Sequence, residues 1–211
     1  MGDEPGRIWD TLHVDGSILV LELANDSEQY WYGNRPEHHY SLYVSDDQGR
    51  TFTRRSILPF EFQGRGYGAL SLLPDGALIA YVYNIADEKH LDYALSRDGG
   101  HTWGTVGTAY MAKQIRNPQM AAFGEGFVLH GRSGSKGDDP AVPGHFVLYT
   151  SLDGTHWDEG RYLKMRQAGA GAYSNNLLVN SPGGDEAERL LIQASHAYEG
   201  SRTSIYHWWL Q

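Results

Sequence analysis

Short segments in which apolar and polar residues alternate run along this chain, separated by acidic-glycine pairs. The pairs Asp15-Gly16, Asp75-Gly76 and Glu125-Gly126 each stand between two such segments. A tight turn of this kind between alternating segments predicts a β-hairpin. A fourth hairpin is predicted from residues 173–179 and 189–194. Because no apolar stripe follows a helical period, the pattern predicts an all-β protein.

A box of the form Ser-x-Asp-x-Gly-x-Thr, followed by Trp or Phe, repeats along the chain at residues 45–52 and 96–103. A copy that is shorter by one residue covers 151–157. Repetition at a period of about 50 residues is typical of β-propeller blades, here expected to be four-stranded and antiparallel. A single blade cannot bury its faces alone, so we expect one propeller domain over residues 1–211. The blade repeats are expected at about residues 7–60, 61–112, 113–168 and 169–211.

The carboxylates of the three boxes have a structural interpretation. Asp47, Asp98 and Asp153 can each accept N–H bonds from the turn that they open. The glycine that follows permits a left-handed backbone, and the aromatic residue can wedge between strands. We therefore predict that these boxes stabilise hairpins, with calcium or ligand contact as the alternative.

Composition narrows the classes of partner. The chain has 26 acidic and 17 basic residues, for a formal charge of −9, which disfavours nucleic acids and anionic membranes as partners. The absence of cysteine excludes disulfides, thiolate zinc sites and a cysteine nucleophile. His38, His39, His196 and His207 do not have metal-ligand spacing, so neither a metal nor a cofactor is expected.

Nothing in the chain predicts export or membrane insertion. No apolar stretch has the length of a membrane span, and residues 1–10 lack the basic and apolar regions of a signal peptide. A soluble protein is expected, cytoplasmic if the chain is complete.

The three boxes resemble the Asp-box repeat of bacterial neuraminidases, and the chain is similar to the C-terminal two-thirds of sialidase-like glycoside hydrolases. The Tyr173-Ser174 pair looks like the segment that carries the family's tyrosine nucleophile. Asn117-Pro118-Gln119 and Arg132 stand where the family has Glu-Pro-Gln and a following arginine. The resemblance implies a six-bladed propeller that hydrolyses a terminal, acidic sugar from a glycan.

The chain also departs from that family. Asn117 stands where the family has the glutamate that activates the tyrosine, and His145 stands where a further carboxylate-binding arginine is expected. The family's first arginine, its Arg-Ile-Pro motif and its acid/base aspartate are not recognisable. These departures keep open a non-catalytic glycan-binding or scaffold propeller, and a glycosidase or lyase directed at uronic acids.

Aligning the repeats on their hairpin turns tests the prediction of a site without the family. Residues at matching positions face the same way around a propeller axis, so they are expected to form two rings near one end of it. A solvated channel is the alternative. The first ring would hold Arg7, Tyr67, Asn117 and Tyr173, and the second Glu22, Val82, Arg132 and Ser195.

Roles follow from the chemistry of these side chains. A phenol with a pKa near 10 is a poor nucleophile unless a carboxylate takes its proton, which assigns Tyr173 and Glu22 as a catalytic pair. Arg132 could hold a substrate carboxylate bidentately, with Arg116, Arg65 or Arg7 as a second cation. The expected substrate contacts are Arg132, Asn117, Tyr67, Arg116, Arg7 and His145.

Two other features have alternative interpretations. The cluster Asp87, Glu88, His90 and Asp92 is either a proton-donating loop or a solvated turn. The pair Trp208-Trp209 is expected to close a blade rather than to form a sugar platform.

The number of repeats leaves the assembly open. Four repeats could belong to a truncated six-bladed protein, to a four-bladed ring, or to an open array that a second copy completes as a homodimer.

Overall fold

The computed structural model describes residues 6–24, 39–61, 64–133, 146–163, 173–179, 188–195 and 205–211. The predicted residues His38, His145 and His196 lie outside these ranges. The described chain consists of four antiparallel sheets and contains no helix, so the prediction of an all-β chain built from propeller blades is confirmed. Within these ranges, no helix is long and apolar enough to span a bilayer.

Strands pair in chain order in every sheet, so the first strand of each sheet lies at one of its edges, and we call it the inner strand of the blade. Blade 1 contains β1 (Gly6–Val14), β2 (Ser17–Ala24), β3 (His39–Ser45) and β4 (Thr53–Ile57). Blade 2 contains β5 (Arg65–Leu72), β6 (Leu78–Asn84), β7 (His90–Ser96) and β8 (Gly107–Tyr110). Blade 3 contains β9 (Arg116–Phe123), β10 (Gly126–Arg132), β11 (Phe146–Ser151) and β12 (Arg161–Leu163).

Blade 4 differs from the expected four strands. It contains β13 (Ser174–Val179), β14 (Arg189–Ser195) and β15 (Ile205–Leu210), in the order β13-β14-β15. In the described part of the chain, no further segment pairs with β13 or β15, so this blade has three strands there.

The chain divides into two compact units, residues 1–109 and 110–211. The division lies close to the predicted boundary between the second and third repeats. The first unit holds blades 1 and 2, and the second holds blades 3 and 4.

Each unit has an apolar core between its two blades. In the first unit, Leu21, Leu42 and Leu70 are buried together with Leu78 and Val82. Each fully buried side chain of this size contributes about 2 kcal/mol relative to an exposed one. Burial between blades therefore stabilises both units, as the repeat pattern predicted.

The second core explains one of the two adjacent tryptophans. Val128 and Phe146 of blade 3 pack on Leu190 and Ile192 of blade 4. Trp208 stacks on Phe146 with ring centroids 5.2 Å apart, so it packs between blades 3 and 4. Trp209 points to the opposite, exposed face of blade 4, because successive side chains of a strand alternate between faces.

The box carboxylates bind their own turns. Asp47 Oδ1 accepts the N–H of Thr51 at 2.9 Å, and its Oδ2 accepts the Thr51 hydroxyl at 2.6 Å. Ser45 Oγ accepts the N–H of Gly49 at 2.8 Å. The hydroxyl and the N–H of Thr51 lower the pKa of Asp47 to about 2. Asp98 binds Thr102 in the same way, at 2.9 and 2.6 Å.

The second box also fastens one blade to the next. Trp103 Nε1 donates to Ser56 Oγ at 2.9 Å, and Ser56 Oγ donates to the carbonyl of Gly100 at 2.6 Å. Arg55 Nη1 donates to the carbonyl of Gly99 at 2.9 Å. The box of blade 2 is therefore clamped to the outer strand of blade 1, β4.

Replacing Asp47 by alanine should lower the melting temperature at neutral pH, because the turn loses the acceptor for Thr51. The pKa of Asp47 is lowered on folding, so its contribution is present above about pH 4 and is lost as the pH falls toward 2. Calorimetric melting of Asp47→Ala and wild type across this range checks the prediction. Glu61→Ala, which removes an exposed carboxylate, is the control. A difference in melting temperature between Asp47→Ala and wild type that persists unchanged at pH 2 would contradict the mechanism.

Candidate functional site

The inner strands β1, β5 and β9 are interrupted by β-bulges near their first residues. The register of β1 shifts between Ile8 and Asp10, and that of β5 shifts between Gly66 and Gly68. In blade 3 the pairing of β9 with β10 shifts between His130 and Arg132. Bulges redirect side chains and are over-represented beside active sites.

Two bulge residues have a backbone conformation that non-glycine residues seldom adopt. Tyr67 has φ 40° and Asn117 has φ 51°. These residues occupy matching positions in the repeat alignment. Gly68, the next residue, lets β5 pack closely against its neighbours. A Cβ on residue 68 would lie 2.8 Å from the Tyr81 carbonyl oxygen and 2.7 Å from the Leu21 side chain. Strained backbone of this kind motivates a functional hypothesis.

In the first unit the bulges bring aromatic rings together. The centroids of Trp9 and Tyr67 lie 4.4 Å apart, and Tyr67 stacks with Tyr83 at 6.0 Å. The sequence alignment placed Arg7 at the position of Tyr67, but Arg7 pairs with Leu23 outside the bulge. Because the β1 bulge lies closer to the hairpin turn, counting from that turn missed Trp9.

Asp10 was also missed by sequence reasoning. Its Oδ2 accepts the N–H of Leu70 at 2.8 Å, which links β1 to β5, and its Oδ1 accepts the N–H of Thr11 at 2.8 Å. Burial raises the pKa of Asp10 to about 7, although both N–H bonds act to lower it. Asp10 is therefore a polar clamp between the inner strands of blades 1 and 2.

Glu22 lies in the first unit as a buried carboxylate, 7% exposed. It is opposite Ile8 on one side and Ser41 on the other. A Cβ at position 6 would overlap the Glu22 carboxylate, so Gly6 provides the space that this side chain occupies.

The acidic cluster of blade 2 separates into two environments. Asp92 is buried and pairs with Arg65 Nε at 2.5 Å, and it accepts the Thr108 hydroxyl at 2.9 Å. Asp87 lies on the turn, 3.5 Å from His90, and accepts the N–H of Lys89. Arg65 is thus engaged within its own blade.

In the second unit two arginines face each other. Arg116 of β9 and Arg132 of β10 are directly opposite, and Arg132 is 5% exposed. Asn117, beside Arg116, is also buried. A guanidinium group can pair with a carboxylate, so these two residues are candidates for binding an anionic group.

His130 connects blade 3 to blade 4. Its Nε2 accepts from Asn176 Nδ2 at 3.1 Å, which leaves Nδ1 to donate to Ser174 Oγ at 3.1 Å. Desolvation of the fully buried ring lowers its pKa to about 3, so the imidazole is neutral at pH 7. Because His130 donates to Ser174, it does not act as a base toward that hydroxyl. Nothing in its strand pattern marks this histidine in advance.

Tyr173 immediately precedes β13 and is 45% exposed. Its N–H donates to Ser195 Oγ at 3.0 Å, and its carbonyl accepts the N–H of Ser195 at 2.8 Å. The residue lines a cleft of about 230 Å³ together with Ser174, Gln193 and Ile205. Its backbone is therefore fixed while its side chain meets solvent.

The predicted site residues are thus distributed over both units. Arg7, Glu22 and Tyr67 lie in the first unit, and the second contains Arg116, Asn117, Arg132 and Tyr173, with β13 against β9. Among the residues that the structure describes, no group of three His, Asp or Glu side chains is arranged to hold a metal.

Comparison with known proteins identifies the fold. No family model and no curated protein matches the chain. The GH93 α-L-arabinofuranosidase of Fusarium graminearum superimposes with a TM-score of 0.65 at 16% identity, over 98% of this chain and 65% of that one. The fructofuranosidase of Schwanniomyces occidentalis gives 0.64 at 12% identity, over 99% and 44%.

The GH43 endo-arabinanase of Bacillus licheniformis gives a TM-score of 0.63 at 12% identity, over 96% of this chain and 72% of that one. The chain therefore shares the β-propeller fold of these glycoside hydrolases and spans 44 to 72% of their lengths. None of these three proteins is a sialidase.

Replacing His130 by glutamine should make the free energy of unfolding depend less on pH below neutrality. The pKa of His130 is lowered on folding, so wild-type stability declines as the pH falls below about 6.5, by up to about 1.4 kcal/mol per pH unit. Urea unfolding between pH 4 and 7 measures this slope, with the surface variant His13→Gln as control. Equal slopes in wild type and His130→Gln would show that His130 is not the titrating group.

Proposed function

We propose that this protein is a glycoside hydrolase whose nucleophile lies at the start of an inner strand. The observation that carries the proposal is the left-handed backbone of Tyr67 and Asn117, at matching bulges of two blades. The shared fold with propeller glycoside hydrolases supports the reaction class.

Tyr173 is the proposed nucleophile. Its side chain is exposed beside a cleft, and its backbone is held by two hydrogen bonds to Ser195. In the reaction the phenol gives its proton to a carboxylate and its oxygen bonds to the anomeric carbon, while the glycosidic bond breaks and the leaving oxygen takes a proton from water. Water then attacks the anomeric carbon, the bond to the tyrosine oxygen breaks, and a proton of the attacking water restores the phenol while the carboxylic acid returns its proton to solvent. The sugar is released with retention of configuration. The carboxylate that takes the phenol proton is proposed, from the sequence alone, to be Glu22, a buried residue of the first unit.

The substrate is proposed to be a terminal acidic sugar. Arg116 and Arg132 stand at directly opposite register positions of β9 and β10, and a guanidinium group is suited to binding a carboxylate. The amide of Asn117 can hydrogen-bond a neighbouring hydroxyl. Arg7, Tyr67 and His145 are further substrate contacts proposed from the sequence.

Hydrolysis of a neutral furanoside is the second candidate. It is favoured by the similarity of the fold to an arabinofuranosidase, an endo-arabinanase and a fructofuranosidase. In that case the two arginines would bind sugar hydroxyls, and Tyr173 would contact the sugar without attacking it.

Replacing Tyr173 by phenylalanine should lower kcat about a thousandfold or more while leaving substrate binding largely intact, because only the attacking oxygen is removed. Fluorogenic α-sialosides, uronides, arabinofuranosides and fructosides are the substrates, and calorimetry measures binding. Tyr110→Phe, at an exposed tyrosine outside the proposed site, is the matched control.

Three outcomes would redirect the assignment. Turnover of arabinofuranosides alone, unchanged in Tyr173→Phe, would establish the second candidate. Binding without turnover by the folded wild type would indicate a glycan-binding module. A Glu22→Gln variant with an unchanged pH profile would remove Glu22 from the proposed mechanism.

A further inference from the structure

The third box departs from the other two at the residue after its serine. In the first box, Asp46 Oδ1 accepts the hydroxyl of Ser17 at 2.5 Å. In the second, Arg97 Nη1 pairs with Asp75 Oδ2 at 2.7 Å. Both contacts tie the box to the β-hairpin turn of its own blade. The third box has Leu152 at this position, which cannot form such a tie.

Leu152 is 80% exposed, and Glu125 occupies the turn position that Asp75 has in blade 2. A large apolar side chain thus projects into solvent where blades 1 and 2 have a polar contact. Because Leu152 forms no polar contact with the hairpin turn, this end of blade 3 is open.

A cavity of about 640 Å³ lies at this end. Its volume is within the range of small-molecule sites, roughly 300–1,000 Å³. Phe123 and Trp157 supply aromatic surface, Leu152 lies beside them, and the buried Phe127 lies behind this lining. Aromatic faces of this kind pack against the C–H faces of ligands.

Hydrogen-bond acceptors complete the lining. Asp153 accepts the N–H groups of Thr155 and His156, each at 2.8 Å, and Asp158 accepts those of Thr150 and Gly160 at 3.1 and 3.0 Å. Partial desolvation raises the pKa of Asp153, but the two N–H bonds outweigh it and hold the pKa below its usual range. These hydrogen bonds fix both carboxylates, and Asp153 Oδ2 also lies 2.6 Å from His156 Nδ1. Asp158 Oδ2 accepts the Thr150 hydroxyl at 2.8 Å and has a further lone pair to accept from a ligand.

We propose that this cavity binds a neutral oligosaccharide. Sugar rings offer apolar faces to the aromatic residues and hydroxyl donors to Glu125, Asp153 and Asp158. An acidic glycan would be repelled by the same carboxylates. A purely apolar ligand would remove them from water without a hydrogen-bond partner, which is costly.

The cavity is separate from the proposed catalytic end. It lies at the Phe123 end of β9, whereas Asn117 lies at the start of that strand, roughly 20 Å away at the rise of a β-strand. The proposal goes beyond hydrolysis and holds whether or not the protein cleaves glycans.

The test is a titration of the full chain with arabinotriose and with kestose, both neutral, and with 3′-sialyllactose, which is acidic. Calorimetry measures binding, and tryptophan fluorescence reports on Trp157. Each titration is repeated in the Tyr173→Phe background, so that turnover does not affect the result.

The decisive variant is Leu152→Arg. The introduced guanidinium can pair with Glu125 as Arg97 pairs with Asp75, and should close the cavity and weaken binding of the neutral sugar at least about tenfold. Leu152 is exposed, so folding should be unaffected, and thermal melting verifies this. Arg97→Leu in blade 2 is the matched control and should bind as wild type does. Hydrolysis of small substrates by Leu152→Arg should be unchanged.

Several results would overturn the proposal. They are the absence of binding to both neutral sugars at millimolar concentration, equal affinity in Leu152→Arg and wild type, and a preference for sialyllactose. Concentration-dependent association in light scattering that Leu152→Arg abolishes would assign the cavity to a second copy of the chain instead.

Discussion

Polar clamps between neighbouring blades are the contacts on which the candidate site depends. In the first unit, the Asp10 carboxylate reaches across to the N–H of Leu70. In the second, the buried His130 ring binds Ser174 and Asn176 of the adjoining blade. Apolar packing between blades is non-directional, whereas these bonds fix how one blade lies against the next. The hydrogen bonds of Asp10 and His130 therefore help to position the bulged first residues of the inner strands.

The local part of this structure is predictable from sequence. The hairpin turns at Asp15, Asp75 and Glu125 follow from short-range chemistry, and so do the box contacts of Asp47 and Asp98. Each involves residues a few positions apart, so the pattern of residues contains the information. The number of strands in blade 4 was not predictable in this way. Four were expected and three are described, because the number of strands depends on which segments pair with one another.

The tertiary part is not predictable in the same way. A bulge adds a residue to one strand, so counting from the turn placed Arg7 where the structure has Trp9. Asp10 and His130 bind groups far away in sequence, and nothing in their own strands indicates those partners. The left-handed backbone of Tyr67 runs against the preference of a bulky residue, so local propensity argues against it.

The two ends of blade 3 have different chemistry. The strand entrance places two arginines opposite each other, whereas the box end combines aromatic surface with fixed carboxylates. The proposed acidic terminal sugar and the proposed neutral oligosaccharide correspond to these two environments respectively. Function in such a fold resides in the sites and not in the sheets that hold them.

The most direct test of the central claim is to trap the glycosyl-enzyme. The protein is incubated with a fluorinated, activated glycosyl analogue that slows release of the sugar, and the modified peptide is sequenced by mass spectrometry. The account predicts a sugar bonded to Tyr173, with no label in Tyr173→Phe. A label on a carboxylate, or turnover without any label on Tyr173, would contradict it.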